Sequence, residues 1–370
     1  MTRRELLAAL GTAAAAPAYA LPTAPVSIAR CRSYDEDLTA ILSGMFDQLG
    51  GLSRLVQGKT VTIKLNLTGS PALRIQGRAL GTTHYTHPKT ATAMTALLDR
   101  AGARRIRFVE SCWATAAPLE EYLLESGWNV RALKSAGKAV EFVNTNALTG
   151  GHKQYSRFKV ARGFVFPAYD LHPAYEQTDV FVSMAKLKNH ETCGVTLSMK
   201  NIFGITPASI YGDDAGRDEP NERPAKGRVD TCHLGKRQPA KSAPAEVNPQ
   251  SSRDPGFRMP RITAELNAAR PIDIAFIDGV ETLAGGEGPW IRNVKPVQPG
   301  ILLLGTNAVA TDTVATAAMG YDPRAPRGQG IFKNCDNTLL LAEQLRLGSA
   351  VLKQIDVRGL RLEEALYRFG

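Results

Sequence analysis

Lys186, Lys188, His190, Lys200 and Asn201 crowd into one stretch, SMAKLKNHETCGVTLSMKNIFGITP at 183–207. An ammonium group at a strand end is costly to bury unless an anion meets it. Lys186 and Lys188 are two apart and so share one face of their strand. Lys64 and Asn66 do the same at the end of TVTIKLNL. The spacing predicts a helix over 193–203, on which Thr192, Thr196 and Lys200 stack four apart. Its first amides, at Cys193, Gly194 and Val195, are a natural seat for an anion. The substrate-binding set is therefore Lys64, Asn66, Lys186, Lys188, Thr196, Lys200 and Asn201, for a small carboxylate or phosphate. His190 lies between the lysine pair and the helix start, where it could act as general base or metal ligand; it is the candidate catalytic residue. Bland alternatives stand beside these: solvated loop lysines, and Lys200 satisfying carbonyls at a helix end.

Asp278, at the end of PIDIAFID, and the run Gly285-Gly286-Glu287-Gly288-Pro289 form a second wall. Gly286 and Gly288 would let the backbone approach a substrate closely. Asp278, Glu287 and Asp312 are the carboxylates that would hold a divalent metal. Asp312 also lies near the first turn of a helix, where the macrodipole favours a carboxylate without any chemistry. His84 and His87 lie three apart, and Cys232-His233 are adjacent; both are weaker metal signals. No P-loop, dinucleotide fingerprint or nucleophile elbow is present. Cys31, Cys112, Cys193, Cys232 and Cys335 are widely spaced with no CxxC, so no iron–sulfur cluster is expected. Their odd number leaves at least one thiol outside any disulfide.

Strand and helix patterns alternate along most of the 370 residues. That is the signature of an α/β fold with a mainly parallel sheet flanked by helices. Residues 21–35 read as a polar lead-in. Helical spacing runs through 36–56, with Gly50-Gly51 as an early stop. Strands are expected at 60–67, 105–111, 139–144, 164–166, 179–186, 271–278, 299–305 and 354–357. Helices are expected at 88–101, with Pro88 in the first turn and Gly102 as the stop, and at 118–126, 260–270, 308–319, 327–334 and 336–347. Asn307 is placed to cap the helix at 308–319. Residues 207–258 lose all apolar periodicity. They read as a long irregular insertion, either a lid over the site or a disordered segment.

The net charge is +10, which suits acidic partners. The Lys and Arg residues are scattered, and no nucleic-acid-binding spacing occurs, so nucleic acid is not an expected partner. MTRRELLAALGTAAAAPAYA has Arg3-Arg4, an Ala-rich apolar run and Ala18-Tyr19-Ala20 as a small-x-small cleavage site. Residues 1–20 read as a twin-arginine signal peptide, with the twin-arginine translocase as partner during export and one domain over 21–370. The expected location is periplasmic or secreted, with no stable membrane span.

Several segments together resemble one family. They are GKTVTIKLNL at 58–67, Thr86–Pro88, VTLSMKNIFGITP at 195–207, Asp278-Gly279 followed by GGEGP, and LGTNAVATDTVATAAMG at 304–320. In this order they resemble the DUF362 family, a domain of unknown function, over most of 58–360. SMKNIFG is the most specific part. Many members carry a ferredoxin-like iron–sulfur domain; this chain lacks its cysteines. The family usually has Asp where this chain has Asn307, whereas Asp312 matches. A remote relation of the family to nickel-pincer lactate racemases keeps a bound cofactor or metal open. The expectation is an exported protein that binds, and transforms, a small anionic ligand. The alternatives are a periplasmic metal or cofactor carrier without turnover, and an assembly partner that uses 207–258.

Overall fold

The computed structural model describes residues 20–148 and 155–370. The signal-peptide expectation thus falls, apart from Ala20, outside the described residues. Eight strands build one sheet: β1 (Val26–Arg30), β2 (Thr60–Lys64), β3 (Arg105–Glu110), β4 (Val140–Asn144), β5 (Val180–Lys186), β6 (Ile274–Gly279), β7 (Ile301–Gly305) and β8 (Val357–Gly359). Their order is β8-β1-β7-β6-β5-β2-β3-β4. The pairs from β6 through β5, β2 and β3 to β4 are all parallel, as is β1 with β8. β7 alone runs antiparallel to both its neighbours. The architecture is the expected α/β fold with a mainly parallel sheet.

Both faces of the sheet are covered, so its strands are apolar on both sides. Val180 and Val182 join one core cluster with Val61 and Ile63, while Phe181 between them joins the opposite one. The first face is covered by α1 (Leu38–Gln48) and α2 (Pro88–Arg100), through Leu42, Phe46, Met94 and Leu98. The second is covered by α3 (Leu197–Asn201), α4 (Pro255–Ala269) and α5 (Ala308–Ala318). Met199 of α3 and Ile262 and Leu266 of α4 sit in the second cluster. Helix boundaries follow local chemistry. Pro88 opens α2 with His87 as cap, and Asn307 caps α5 through the Ala310 amide. Gly50 and Gly51 adopt φ of 92° and 89°, which ends α1 before a separate turn at Ser53–Val56.

Four expectations need correction. The lead-in contains β1, whose neighbours β7 and β8 lie at the far end of the sequence. Phe164–Phe166 is not a strand: its three amides donate to the buried carboxylate of Glu265, which also accepts from the Tyr169 hydroxyl. The hairpin strands here are Ser156–Lys159 and Ala168–Leu171 instead. The helix expected from 193 starts at Leu197, because Asn189–His190 and Gly194–Val195 pair as a hairpin. The helix expected from Pro260 begins at Pro255. It tolerates Pro260 because the Gly256 carbonyl, deprived of its helical donor, accepts from the Asp336 amide at 2.8 Å.

The insertion at 207–258 is irregular but packed. Ile210, Tyr211 and Cys232 are buried in the second cluster. Glu246 pairs with Arg258 at 2.7 Å, both fully enclosed. All five cysteines are buried free thiols.

Candidate functional site

The order of the strands creates a crevice. From β2 the chain moves outward to β3 and β4, then returns to the other side of β2 as β5 and continues to β6. Beyond the carboxyl ends of β2 and β5, where the direction reverses, neighbouring connections part and leave room for a ligand. A cavity of about 490 Å³ opens there. Its floor carries Lys64 and Asn66 from the end of β2, Glu110 from β3 and Lys188 just past β5. One side comes from the hairpin and α3, with His190, Thr192, Thr196, Lys200, Asn201 and Phe203. Arg228 and His233 close it from the insertion, and Glu287 and Trp290 from the glycine-rich loop.

α3 is held by its surroundings rather than by its own length. The Asp312 carboxylate of α5 accepts from the Ser198 amide at 3.0 Å, the Ser198 hydroxyl at 2.5 Å and the Met199 amide at 2.8 Å. The amides at the start of α3 are thus answered by a residue of the chain, and Asp312 is a capping group, whereas of the seat expected at Cys193, Gly194 and Val195 the last two residues belong to the hairpin and not to a helix start. On the sheet side, Ser183 of β5 donates to the Ser198 carbonyl at 3.0 Å and accepts from Asn201 Nδ2 at 3.0 Å. These contacts fix Lys200 and Asn201 on the cavity wall.

The two lysines of the strand end part company. Lys186 is fully buried and bonds Asp278 Oδ2 and the Thr82 and Glu281 carbonyls, each at 2.9 Å, and the Tyr34 hydroxyl at 2.6 Å. Tyr34 in turn donates to Asp278 and stacks on His87 with ring centroids 3.5 Å apart. Neither Lys186 nor Asp278 lines the cavity. Lys188 does, and its partners are the Nδ1 of His84 at 3.0 Å and the His84 carbonyl at 3.3 Å. His84 Nε2 reaches the Thr68 carbonyl at 2.7 Å, so that nitrogen carries the proton and Nδ1 accepts from Lys188. Among the described residues no carboxylate pairs with Lys188. Burial pushes its pKa well below the usual lysine value, with Glu287 opposing and Lys186 and Lys200 adding to the effect.

Lys64 and Glu110 form a buried ion pair at 2.6 Å. Burial lowers the pKa of the lysine and raises that of the glutamic acid, while each opposes the shift of the other. Gly204 allows this close fit, since a Cβ there would lie 2.8 Å from Lys64 Nζ. Lys200 Nζ stands 4.3 Å above the Phe203 ring and has no hydrogen-bonding or ionic partner among the described residues. Asn66 is 3% exposed, and its Nδ2 is likewise unpartnered. Arg228 anchors to the Thr206 carbonyl and the Ser111 hydroxyl, at 2.8 and 2.7 Å, and forms no ion pair among the described residues.

His190 accepts the Thr192 amide on Nδ1 at 3.2 Å and lies 3.9 Å from Glu287 Oε2. Burial lowers its pKa to about 3, so it is neutral near pH 7. With Nδ1 accepting, the proton sits on Nε2, and the ring as placed offers a donor rather than a free lone pair. Burial raises the pKa of Glu287, but His190, the Glu191 amide and the Trp290 indole outweigh it and leave a value of about 2.

The expected site is therefore brought together in part. Lys64, Asn66, Lys188, His190, Thr196, Lys200, Asn201 and Glu287 share the cavity. Lys186, Asp278 and Asp312 do not, and neither do Gly286 and Gly288, whose missing Cβ positions are filled by Ile291 and Trp290. The carboxylates expected to bind a metal are thus dispersed. No group of three His, Cys, Asp or Glu side chains able to hold a metal occurs among the described residues. His84 and His87 each have a local partner, at Lys188 and at the Lys89 amide. Sequence reading overlooked Glu110, Arg228 and Trp113. Glu110 ends a strand, as Lys64 and Asp278 do, and the same rule would have found it. Arg228 arrives from the insertion, where no pattern marks it.

Fold and site together define an α/β protein with a cation-rich cavity at its switch point. The family model described as "Domain of unknown function (DUF362)" matches residues 61–317, and the chain belongs to that family. Thylakoid-associated protein sll1697 of Synechocystis sp. is 25% identical over 198 residues, which cover 52% of this chain and 55% of that protein. A crystal structure of a Thermotoga maritima protein superposes with a TM-score of 0.37 at 12% identity, covering 87% of this chain and 59% of that one. The chain spans little more than half the length of either. No helix among the described residues is long and apolar enough to cross a membrane.

Proposed function

We propose that this protein binds a small carboxylate or phosphate in the switch-point cavity. The observation that carries the reading is a surplus of unanswered nitrogen donors. Among the described residues Lys188, Lys200 and Arg228 face the cavity without a carboxylate in ion-pair contact, although Glu110 and Glu287 share it, and Asn66 Nδ2 has no hydrogen-bond partner. Buried cations without counter-charge are expensive. An anion between Lys188 and Lys200 supplies that charge and favours the protonated form of both lysines. His190 would then donate Nε2–H to the bound group, or carry a proton once Thr192 releases Nδ1. Glu110, paired with Lys64 on the floor, is a second proton carrier for any reaction there. Lys186 and Asp278 brace the wall from behind.

Export to the periplasm or beyond, through the twin-arginine route, is part of the same reading. It rests on Arg3-Arg4 and Ala18-Tyr19-Ala20.

Thermal unfolding with inorganic phosphate and with acetate as probes tests the binding site. Wild-type protein should be protected in proportion to the concentration of at least one probe. The Lys188→Met and Lys200→Met variants should lose that protection. No protection by either probe, or equal protection of the variants, overturns the reading.

A further inference from the structure

The chain contains three tryptophans. Trp128 is 3% exposed, as expected of so large an apolar ring, while Trp113 is 46% and Trp290 47% exposed. Both exposed indoles line the same cavity, beside Leu73 and Val229. An indole left half in water forgoes much of its burial free energy, and two at one opening form an apolar rim over a polar floor.

Trp290 is held in place by its neighbours. Trp290 donates from Nε1 to Glu287 at 2.9 Å and lies edge-on to His84, with centroids 5.5 Å apart. It packs where Gly69 and Gly288 have no side chain, since a Cβ at either would come within 2.8 Å or 2.6 Å of it. Trp113 follows β3 by three residues and rests near Gly227 of the insertion, whose Cβ would lie 3.6 Å from its Nε1. The next residue, Ala114, has φ of 57°, an unfavourable backbone for alanine that persists only where the surroundings impose it. Neither indole covers the core. The third aromatic group, Phe203, is already occupied by Lys200, Arg228 and His233.

We propose that the ligand of this cavity is an anion carrying a planar ring. Its charged group lies at Lys188, Lys200 and Asn66, and its ring lies against Trp113 and Trp290 at the mouth. This rests on the anion-site reading and specifies the other half of the ligand. A ring stacked on either indole should improve affinity by about tenfold over the same anion without the ring.

The test uses matched probes on the intact protein: phenyl phosphate against methyl phosphate, and indole-3-acetate against acetate. Affinities are read from thermal protection and, for phenyl phosphate, from tryptophan quenching. Because Trp128 is buried, quenching reports the two cavity indoles. In at least one pair the ring-bearing probe should bind tenfold or more tightly than its partner. Trp113→Ala should bring that ratio close to one, and Trp113→Phe should restore most of it. Lys200→Met should weaken both members of the pair. Equal affinities within both pairs, with the dependence on Lys200 kept, overturn the aromatic clamp and leave the anion site standing. A ratio that survives Trp113→Ala and Trp290→Ala together also overturns the clamp. If no probe binds at millimolar concentration, both readings fall.

Discussion

Replacing Lys186 or Lys188 by methionine should have opposite consequences, although the two lysines are two residues apart and both buried. Lys186→Met removes an ammonium with four oxygen partners and strands Asp278, whose side chain has no exposure. The carboxylate keeps only the Tyr34 hydroxyl and the Val280 amide. Breaking a buried pair in this way costs about 3–5 kcal/mol. Lys188→Met strands no charge. It leaves one imidazole nitrogen of His84 without a donor, at about 1 kcal/mol. Against that, it removes a buried amine whose charged form is disfavoured by burial and by the neighbouring Lys186 and Lys200, and methionine carries no such desolvation cost. Lys188→Met should therefore be neutral or stabilising in the absence of ligand, and the gap between the variants should be about 3 kcal/mol or more. Urea unfolding followed by far-UV circular dichroism measures it, provided the slopes agree. Adding Asp278→Asn to Lys186→Met should recover part of the loss. Equal destabilisation by the two single substitutions, or a larger cost at Lys188, would refute the assignment of one lysine to the frame and the other to the cavity.

Glu287 should make the fold acid-sensitive. Its pKa drops from the ordinary 4.5 to about 2 on folding, so its contribution is whole above pH 4.5 and is lost as pH falls toward 2. It is worth up to about 3 kcal/mol. In urea unfolding, the advantage of wild type over Glu287→Gln should shrink from pH 6 to pH 3; a constant difference would count against the lowered pKa of Glu287. For export, replacing Arg3 and Arg4 by lysine should leave the uncleaved chain in the cytoplasm of an expressing bacterium, as fractionation would detect. Unaltered export of that variant would rule out the twin-arginine route.

Local chemistry made much of the frame legible. Pro88, Asn307 and the glycines at 50, 51, 102 and 320 announce helix ends because capping and positive φ are decided within a few residues. The parallel strands announce themselves through continuous apolar runs. What escaped was decided by distant partners. VSIAR at 26–30 becomes a strand only because β7 and β8 flank it. Phe164–Phe166 looks like a strand, yet Glu265 takes its amides. Strand parity put Lys186 and Lys188 on one face, which holds only while the strand lasts. It ends at Lys186, and Lys188 lies beyond it. In the same way Asp312 looked free for a metal until Ser198 and Met199 came to meet it.

β1 has one further consequence. It lies between β7 and β8, the last two strands of the sheet, whereas β2, β3 and β4 adjoin strands close to them in sequence. One half of the sheet can therefore assemble while the protein is still being made, but the other cannot. Until residues 301–359 arrive, the amides and carbonyls on both sides of Val26–Arg30 lack their partners, and an unpaired strand edge invites pairing with other chains. Synthesis thus passes through an interval in which the first strand must be kept from strangers, and the final segment acts as the latch that ends it.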